Sequence, residues 1–177
     1  MDAARRFPSS TKYFGGDVSR SIVAFNTRRF ASDPRFCRRF RHFDITCEAV
    51  HLSENDAIHS KDVLIHLPTH LALAALKNFE RSGAALLLSV SFPKAPRSAN
   101  KYVPRRHGDG AYKTVQYNPH DERIGFTPIN LEAPPFCLPP PLARWHNTNE
   151  HVALGRFNGL WRLPALNRSK SPECVGR

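Results

Sequence analysis

The chain has 177 residues, of which 41% are hydrophobic and 23% are charged, and this length suits one domain with a buried core. No stretch approaches the roughly 18 apolar residues of a membrane-spanning helix, and the N-terminus lacks the apolar core of a secretory signal peptide. We therefore expect a protein of the cytoplasm or nucleus, and the net charge of +11 predicts non-specific attraction to polyanions such as nucleic acid.

The N-terminal part predicts a strand, a helix and a second strand. Residues 1–11 are polar without an apolar run, and we expect a disordered arm there. Tyr13–Asp17 predicts a short strand and turn, the apolar residues from Ile22 to Phe30 predict a helix, and Arg38–Thr46 predicts the next strand with its loop. Asp17 and Asp44 both lie where an aspartate also commonly forms a turn.

The middle of the chain predicts a strand–helix–strand unit with parallel strands. Ala57-Ile58 predicts a strand, and Pro68-Thr69 then starts a helix that ends at Ser82-Gly83, because glycine adopts the left-handed conformation without steric cost. Ala84–Pro93 is a nearly continuous apolar run, typical of a strand covered on both faces. The apolar stripe expected on the helix consists of Leu71, Ala74, Ala75 and Phe79.

The last third predicts irregular structure followed by two strands. Residues 94–124 are low in apolar content and predict a long loop insertion, and residues 125–142 are too rich in proline for a helix or a central strand. Leu142–Trp145 and Leu154–Leu163 predict an antiparallel hairpin, and residues 167–177 predict a disordered tail. The 4 cysteines form no C-x-x-C pair, so we expect reduced thiols.

Several of these segments resemble class I S-adenosylmethionine-dependent methyltransferases, and above all small members of that family. The resemblance is carried by DVLIHLP at Asp62–Pro68, by ALKNFERSG ending at Gly83, by LEAPPFCLPPPL at Leu131–Leu142 and by NGLWRL at Asn158–Leu163. These motifs occur in the family's order, and the resemblance implies an α/β fold. That fold is a Rossmann-like three-layer sandwich with a mostly parallel sheet and an antiparallel C-terminal hairpin, here spanning residues 12–166.

The resemblance also implies a function and a set of site residues. It implies methyl transfer from S-adenosylmethionine to an acceptor that the sequence does not identify, by residues whose catalytic roles stay unknown. By this resemblance the cofactor is held by Asp17 at the ribose, by Asp44 and Ile45 at the adenine, and by Ser60 and Asp62 at the methionine end, with His66 on the substrate side.

One family element has no counterpart in this sequence. Class I methyltransferases begin with a central strand that ends in a glycine-rich turn, and neither Gly15-Gly16 nor Gly108–Gly110 follows an apolar strand. We therefore expect a truncated or divergent member, with a sheet that is incomplete because its first strand is missing. Strands two and four of the family order must then pair directly, borrow a strand or remain poorly ordered.

Two other interpretations start from the charged residues. Arginine and phenylalanine alternate through residues 28–43, which predicts, as the alternative function, a non-catalytic remnant that binds nucleic acid through this segment. The same alternation also fits an edge strand whose arginines face solvent. His66 and His70 stand four residues apart without an H-E-x-x-H motif, so we expect no metal site.

Overall fold

The structure, a computed structural model, describes residues 11–95, 105–106, 112–113, 127–146 and 154–166. Within it the chain divides into two compact units, Met1–Glu48 and Ala49–Arg177. The expected N-terminal arm, most of the expected insertion and the expected C-terminal tail lie outside the described residues, and so the domain limits predicted from sequence stay a prediction.

The first unit contains a parallel strand pair and one helix. Its elements are β1 (Gly15–Asp17), α1 (Arg20–Arg29) and β2 (Phe40–His42). The strands run parallel with Gly15 opposite Phe40, as a strand–helix–strand segment requires. Helix α1 begins after Ser19, whose hydroxyl accepts a hydrogen bond from the backbone N–H of Ile22 at 3.4 Å.

The first unit buries little of its apolar surface. Among its described residues, Phe43 is the only one classed as buried, and α1 buries none of its side chains. Large apolar side chains instead remain exposed on and before α1, namely Tyr13, Phe14, Val18, Ile22 and Phe25. Its apolar packing is a small cluster formed by the rings of Tyr13, Phe30, Phe36 and Phe40, which is much less than the core that normally stabilises a layer.

The second unit contains the predicted strand–helix–strand segment. It is formed by β3 (Ala57–Ser60), a 3₁₀ turn at Leu64–His66, α2 (Thr69–Arg81) and β4 (Leu86–Ser91). Strands β3 and β4 are parallel, with Ala57 opposite Leu86, and the predicted parallel pairing is thus confirmed.

Helix α2 has the predicted bounds but not the predicted buried face. Ala72, Ala75, Leu76 and Phe79 are buried, whereas Leu71 and Ala74 of the expected stripe are only half-buried. The predicted stripe is therefore confirmed at Ala75 and Phe79 and wrong at Leu71 and Ala74, which corresponds to a small rotation of the helix. Its cause lies in the sequence, because Leu71–Leu76 is apolar at every position and periodicity alone does not choose a face there.

Gly83 ends the connection from α2 to β4 in the predicted way. Its φ is +90°, in the region where only glycine is unstrained, and a Cβ atom at this position would stand 2.6 Å from the carbonyl oxygen of Leu52. The backbone of the same residues is also hydrogen-bonded, since the Leu52 N–H donates to the Ser82 carbonyl at 2.7 Å.

Two further strands complete the second sheet. They are β7 (Ala143–His146) and β8 (Phe157–Arg162), and the sheet order is β3-β4-β8-β7. Strand β8 pairs antiparallel with both of its neighbours. Within the expected insertion, β5 (Arg105–Arg106) and β6 (Tyr112–Lys113) form a short antiparallel pair of their own.

The core of the second unit lies between this sheet, α2 and the proline-rich segment. Trp161 is fully buried and its indole N–H donates to the Pro139 carbonyl at 2.9 Å, which fastens the proline-rich segment to β8. The Ser91 hydroxyl similarly accepts from the Leu131 N–H at 3.0 Å. The other large buried side chains of this core are Phe92, Phe136, Phe157, Leu64, Leu76, Leu87, Ile129, Leu131, Leu138 and Val90.

The chain is thus a mixed α/β protein with β1 and β3 in separate sheets. Among the described strands, β1 pairs with β2 and β3 pairs with β4, so of the three alternatives for the missing strand, direct pairing of β1 with β3 is not the one observed. Cys37 and Cys47 are free thiols as expected. Cys137 is disulfide-bonded, against the expectation, because sequence spacing does not reveal proximity in space. Across the described helices, none has the length and apolar character needed to cross a bilayer.

Candidate functional site

The candidate site in the second unit lies at the carboxyl end of the parallel pair β3–β4. In open α/β sheets this edge is where ligands bind, because successive strand ends and their loops meet there. Ser60 is the last residue of β3 and stands opposite Ser89, whose hydroxyl donates to the Ser60 carbonyl at 3.0 Å. Strand β8 begins opposite Ser91, the last residue of β4, so residues just before β8 lie at this same edge.

Ser60 carries a buried hydroxyl without a protein partner. Its residue is 3% exposed, and within the part of the chain that the structure describes its Oγ atom makes no hydrogen bond. Leaving such a group unsatisfied costs about 1–3 kcal/mol, so buried hydroxyls in folded proteins are nearly always paired. The Ser60 hydroxyl therefore keeps its hydrogen-bonding capacity at the carboxyl edge of the sheet.

Asp62 lies two residues beyond β3 and forms an ion pair with Arg156. Both carboxylate oxygens accept from Nη2 of Arg156, at 2.6 and 2.9 Å. The Arg156 side chain is 4% exposed and that of Asp62 is 38% exposed, so the pair presents its carboxylate to solvent and buries its guanidinium. Asp62 has φ +56°, a left-handed conformation that costs an ordinary residue about 1–2 kcal/mol.

Two histidines, His59 and His66, lie near this edge and differ in their surroundings. His66 ends the 3₁₀ turn with an exposed side chain, and its backbone N–H donates to the Val63 carbonyl at 3.1 Å. His59 lies on β3, where the surrounding protein and then the charge of Lys61 lower its pKa below the ordinary value. No group of three or more potential metal ligands occurs among the described residues.

The aspartates of the first unit lie at the carboxyl ends of its parallel strands. Asp17 ends β1, and its Oδ1 accepts from the Ser19 N–H at 2.7 Å. Asp44 follows β2, and its Oδ1 accepts from the backbone N–H and the hydroxyl of Thr46 at 2.8 and 2.7 Å. Both therefore form the local turns that the sequence left open as an alternative to a cofactor role.

Hydrogen bonding sets the ionisation of Asp44. The Thr46 hydroxyl and then the Thr46 backbone N–H stabilise the carboxylate and lower the pKa of Asp44. Ile45, the residue expected against the adenine, is half-buried. These residues keep a carboxylate and an apolar side chain adjacent at the end of β2.

The basic and aromatic residues of the first unit form cation–π contacts. The guanidinium carbon of Arg39 lies 4.9 Å from the ring centroid of Phe14, and that of Arg41 lies 4.6 Å from the ring centroid of Phe43. On β2 itself Arg41 is exposed while Phe40 is half-buried, which is the pattern of the edge-strand interpretation. Phe14 is 67% exposed, however, and lies outside that pattern.

Comparison with solved structures finds a partial likeness to a methyltransferase. The chain is similar to the crystal structure of magnesium protoporphyrin IX methyltransferase from Synechocystis PCC 6803 with bound SAH. The two share 21% identity over 50% of this chain and 40% of that chain, with a TM-score of 0.40. No protein-family model and no curated protein matches the sequence.

The predicted site residues fall into two groups. Ser60, Asp62 and His66 belong to the second unit, and Asp17 and the Asp44-Ile45 pair belong to the first. Sequence reasoning missed Arg156, because it is 94 positions from Asp62 and no local spacing connects them. The only local feature that could have drawn attention to Arg156 is its position directly before the strand β8.

Proposed function

We propose that this chain binds S-adenosylmethionine and transfers its methyl group to an acceptor, with the methionine end of the cofactor at the carboxyl edge of β3 and β4. The observation that carries the proposal is the orphaned Ser60 hydroxyl at that edge. The methyltransferase-like motifs support it, since Asp62–Pro68 follows β3 at that edge and Asn158–Leu163 lies along β8 of the same sheet and just beyond it. We further propose that the sheet belongs to a Rossmann-like three-layer sandwich.

The residues present fit the charged end of such a cofactor. Its methionine end carries an ammonium and a carboxylate, and the edge offers the Asp62 carboxylate and the Ser60 hydroxyl as hydrogen-bonding groups. The ribose role that the resemblance implies for Asp17 of the first unit stays a prediction, and its turn contact with Ser19 uses only Oδ1. The adenine role implied for Asp44 and Ile45 likewise stays a prediction.

In this mechanism the protein contributes positioning. When bound, S-adenosylmethionine supplies an activated methyl group on a sulfonium, and its displacement needs an acceptor held in line. Ser60 and Asp62 orient the methionine end, and His66 stands on the substrate side of the same loop with an exposed side chain. No residue is assigned as a base, because a well-placed acceptor can react without one.

The test is the melting temperature of the whole chain with and without excess S-adenosylmethionine. A ligand at 100 times its dissociation constant stabilises by about 2.7 kcal/mol, which raises Tm by roughly 5–10 °C for this size. Ser60→Ala is expected to leave the ligand-free Tm unchanged or higher, because it removes an unsatisfied buried hydroxyl, and to abolish much of the ligand shift.

Ser82→Ala is the matched control. The Ser82 hydroxyl is also buried, but it lies at the end of α2, away from the carboxyl edge of β3, where it donates to the Phe79 carbonyl and accepts from the Ala84 N–H. Its removal should lower the ligand-free Tm modestly and should preserve the ligand shift. A cooperative wild-type melt that does not move with ligand would contradict the proposal.

The cation–π contacts support a second candidate, binding of single-stranded nucleic acid by the first unit. Exposed rings such as Phe14 and Phe25, each with an arginine over one face, combine stacking surface with positive charge. Binding of an oligonucleotide should then weaken steeply with salt. Arg39→Gln should reduce it more than Arg144→Gln, which removes the same charge from the second unit; equal effects would indicate attraction by net charge alone.

A further inference from the structure

We infer that Arg156 is a positioning residue for ligand binding, and that the Asp62 carboxylate it holds binds the ammonium group of a ligand's amino-acid end. This inference rests on the proposed function and adds a residue that the sequence motifs do not assign. It also predicts that a ligand must carry a free α-amino group at its amino-acid end to bind tightly.

Sheet order brings the two residues together. Strand β4 lies between β3 and β8, and β8 runs antiparallel to it, so the end of β3 and the start of β8 reach the same edge. Asp62 follows β3 by two residues and Arg156 directly precedes β8. The hydrogen bonds from Nη2 of Arg156 to the Asp62 carboxylate, at 2.6 and 2.9 Å, therefore link the loop after β3 to the segment that precedes β8.

The difference in burial assigns the roles within the pair. The guanidinium of Arg156 lies 6.0 Å from the Phe92 ring centroid, and its side chain is 4% exposed, so it is part of the protein interior. The Asp62 side chain is 38% exposed. The buried arginine, which lies against an aromatic ring, is therefore suited to holding the Asp62 carboxylate in place. The more exposed carboxylate is suited to binding a ligand.

The carboxylate retains capacity for a cationic ligand. Two ionised oxygens offer about four acceptor positions, and both contacts with Arg156 involve the one nitrogen Nη2. Each oxygen can therefore accept a further bond from the solvent-facing side. An ammonium group, with three donors and a positive charge, matches that capacity better than a neutral or anionic group.

The pair also fixes a backbone conformation. Asp62 adopts φ +56°, a left-handed conformation that aspartate takes more readily than most other non-glycine residues. The ion pair with Arg156 restrains this residue two positions after Ser60, which supplies the unsatisfied hydroxyl. Loss of Arg156 should therefore misplace the Asp62 carboxylate even if the rest of the sheet stays folded.

The experiment compares two ligands by isothermal titration calorimetry on the full chain. S-adenosylhomocysteine carries the amino-acid end, and 5′-methylthioadenosine lacks it. Asp62→Asn and Arg156→Lys should each weaken binding of the first ligand about tenfold or more and leave binding of the second within about threefold, and one tenfold change is about 1.4 kcal/mol. The double variant should be no weaker than the worse single variant, because both act through one carboxylate.

The outcomes separate this inference from the proposed function. Wild-type protein that binds neither ligand overturns the proposed function and this inference with it. If wild-type protein binds S-adenosylhomocysteine but Asp62→Asn and Arg156→Lys bind it equally well, the inference alone is wrong. Equal loss of both ligands in the variants also overturns it, because it would show a merely structural ion pair. Arg144→Gln, a variant of an exposed arginine in the same unit, serves as the control.

Discussion

Both units of this chain contain parallel strands joined through a helix, yet only the second builds a core around them. In the second unit, large side chains such as Trp161, Phe136 and Phe157 are almost fully inaccessible. In the described part of the first unit, Phe43 alone is classed as buried. The difference follows from how much surrounds the strands, because β4 pairs with strands on both sides and bonds to the proline-rich segment, whereas β1 and β2 are two short strands that pair only with each other among the described residues. A strand–helix–strand segment is thus not a stable unit by itself.

The largest expected effect comes from removing an aromatic ring in each unit. Phe136→Ala should lower the free energy of unfolding by about 3–5 kcal/mol, because it opens a cavity around a side chain that is 1% exposed. Phe25→Ala on α1 should change it by less than about 0.5 kcal/mol, because that ring is 50% exposed. Urea denaturation followed by circular dichroism measures both. Equal losses would show that the first unit buries Phe25 against a surface of its own.

A smaller effect should separate two glycines with similar close contacts. A Cβ at Gly159 would stand 2.4 Å from the ring of Trp161, and a Cβ at Gly15 would stand 2.6 Å from the ring of Phe40. Trp161 is held by its bond to Pro139, so Gly159→Ala should cost about 1–3 kcal/mol. Phe40 is only half-buried and can move, so Gly15→Ala should cost less than about 1 kcal/mol.

The urea midpoint and its slope decide this comparison. A shift of the midpoint at constant slope reports a change in stability alone. A cost for Gly15→Ala that equals the cost for Gly159→Ala would mean that the ring of Phe40 is as tightly confined as that of Trp161.

The smallest effect concerns pH, and the two units should respond in different ranges. Asp44 has a folded pKa below its ordinary 3.8 because Thr46 donates to it, so its contribution to stability is complete above that value and is lost as pH falls through the folded pKa. His59 has a folded pKa below its ordinary 6.5 because the protein and Lys61 disfavour its charge. Its contribution is therefore complete above pH 6.5 and declines below it.

NMR titration of the two side chains measures these shifts directly. Thr46→Val should raise the pKa of Asp44 towards its ordinary value, because the hydroxyl that stabilises the carboxylate is gone. His59→Gln should remove the part of the pH dependence of stability that lies just below pH 6.5. An Asp44 pKa that stays low in Thr46→Val would assign its stabilisation to the groups that remain, namely the Thr46 backbone N–H, the Cys47 side chain and His42.

The fold could be predicted where the determining residues are close in sequence. Pro68-Thr69 and Gly83 set the limits of α2, since a helix start and a left-handed glycine are local features. The buried face of α2 could not be predicted, because Leu71–Leu76 is apolar throughout and the choice depends on what the helix meets.

The candidate site could be predicted in part for the same reason. Ser60 and Asp62 follow a strand whose position the sequence indicates, and so their placement at its carboxyl end was accessible. Two other features of the site could not be predicted: the Ser60 hydroxyl has no partner among the described residues, and Asp62 forms an ion pair with Arg156. Both depend on residues that are distant in sequence and that the strand order brings together.

The sparse burial of the first unit has a consequence for how its backbone exchanges with solvent. Amide protons of a segment that buries one ring are released by local opening, at a small fraction of the global free energy of unfolding. Those of β4, a central strand paired with β3 and β8, are expected to exchange only through opening of the whole second unit. We therefore expect the β1–β2 pair to open as a foldon of its own, and binding of a ligand at its aspartates to slow amide exchange first at Gly15–Asp17.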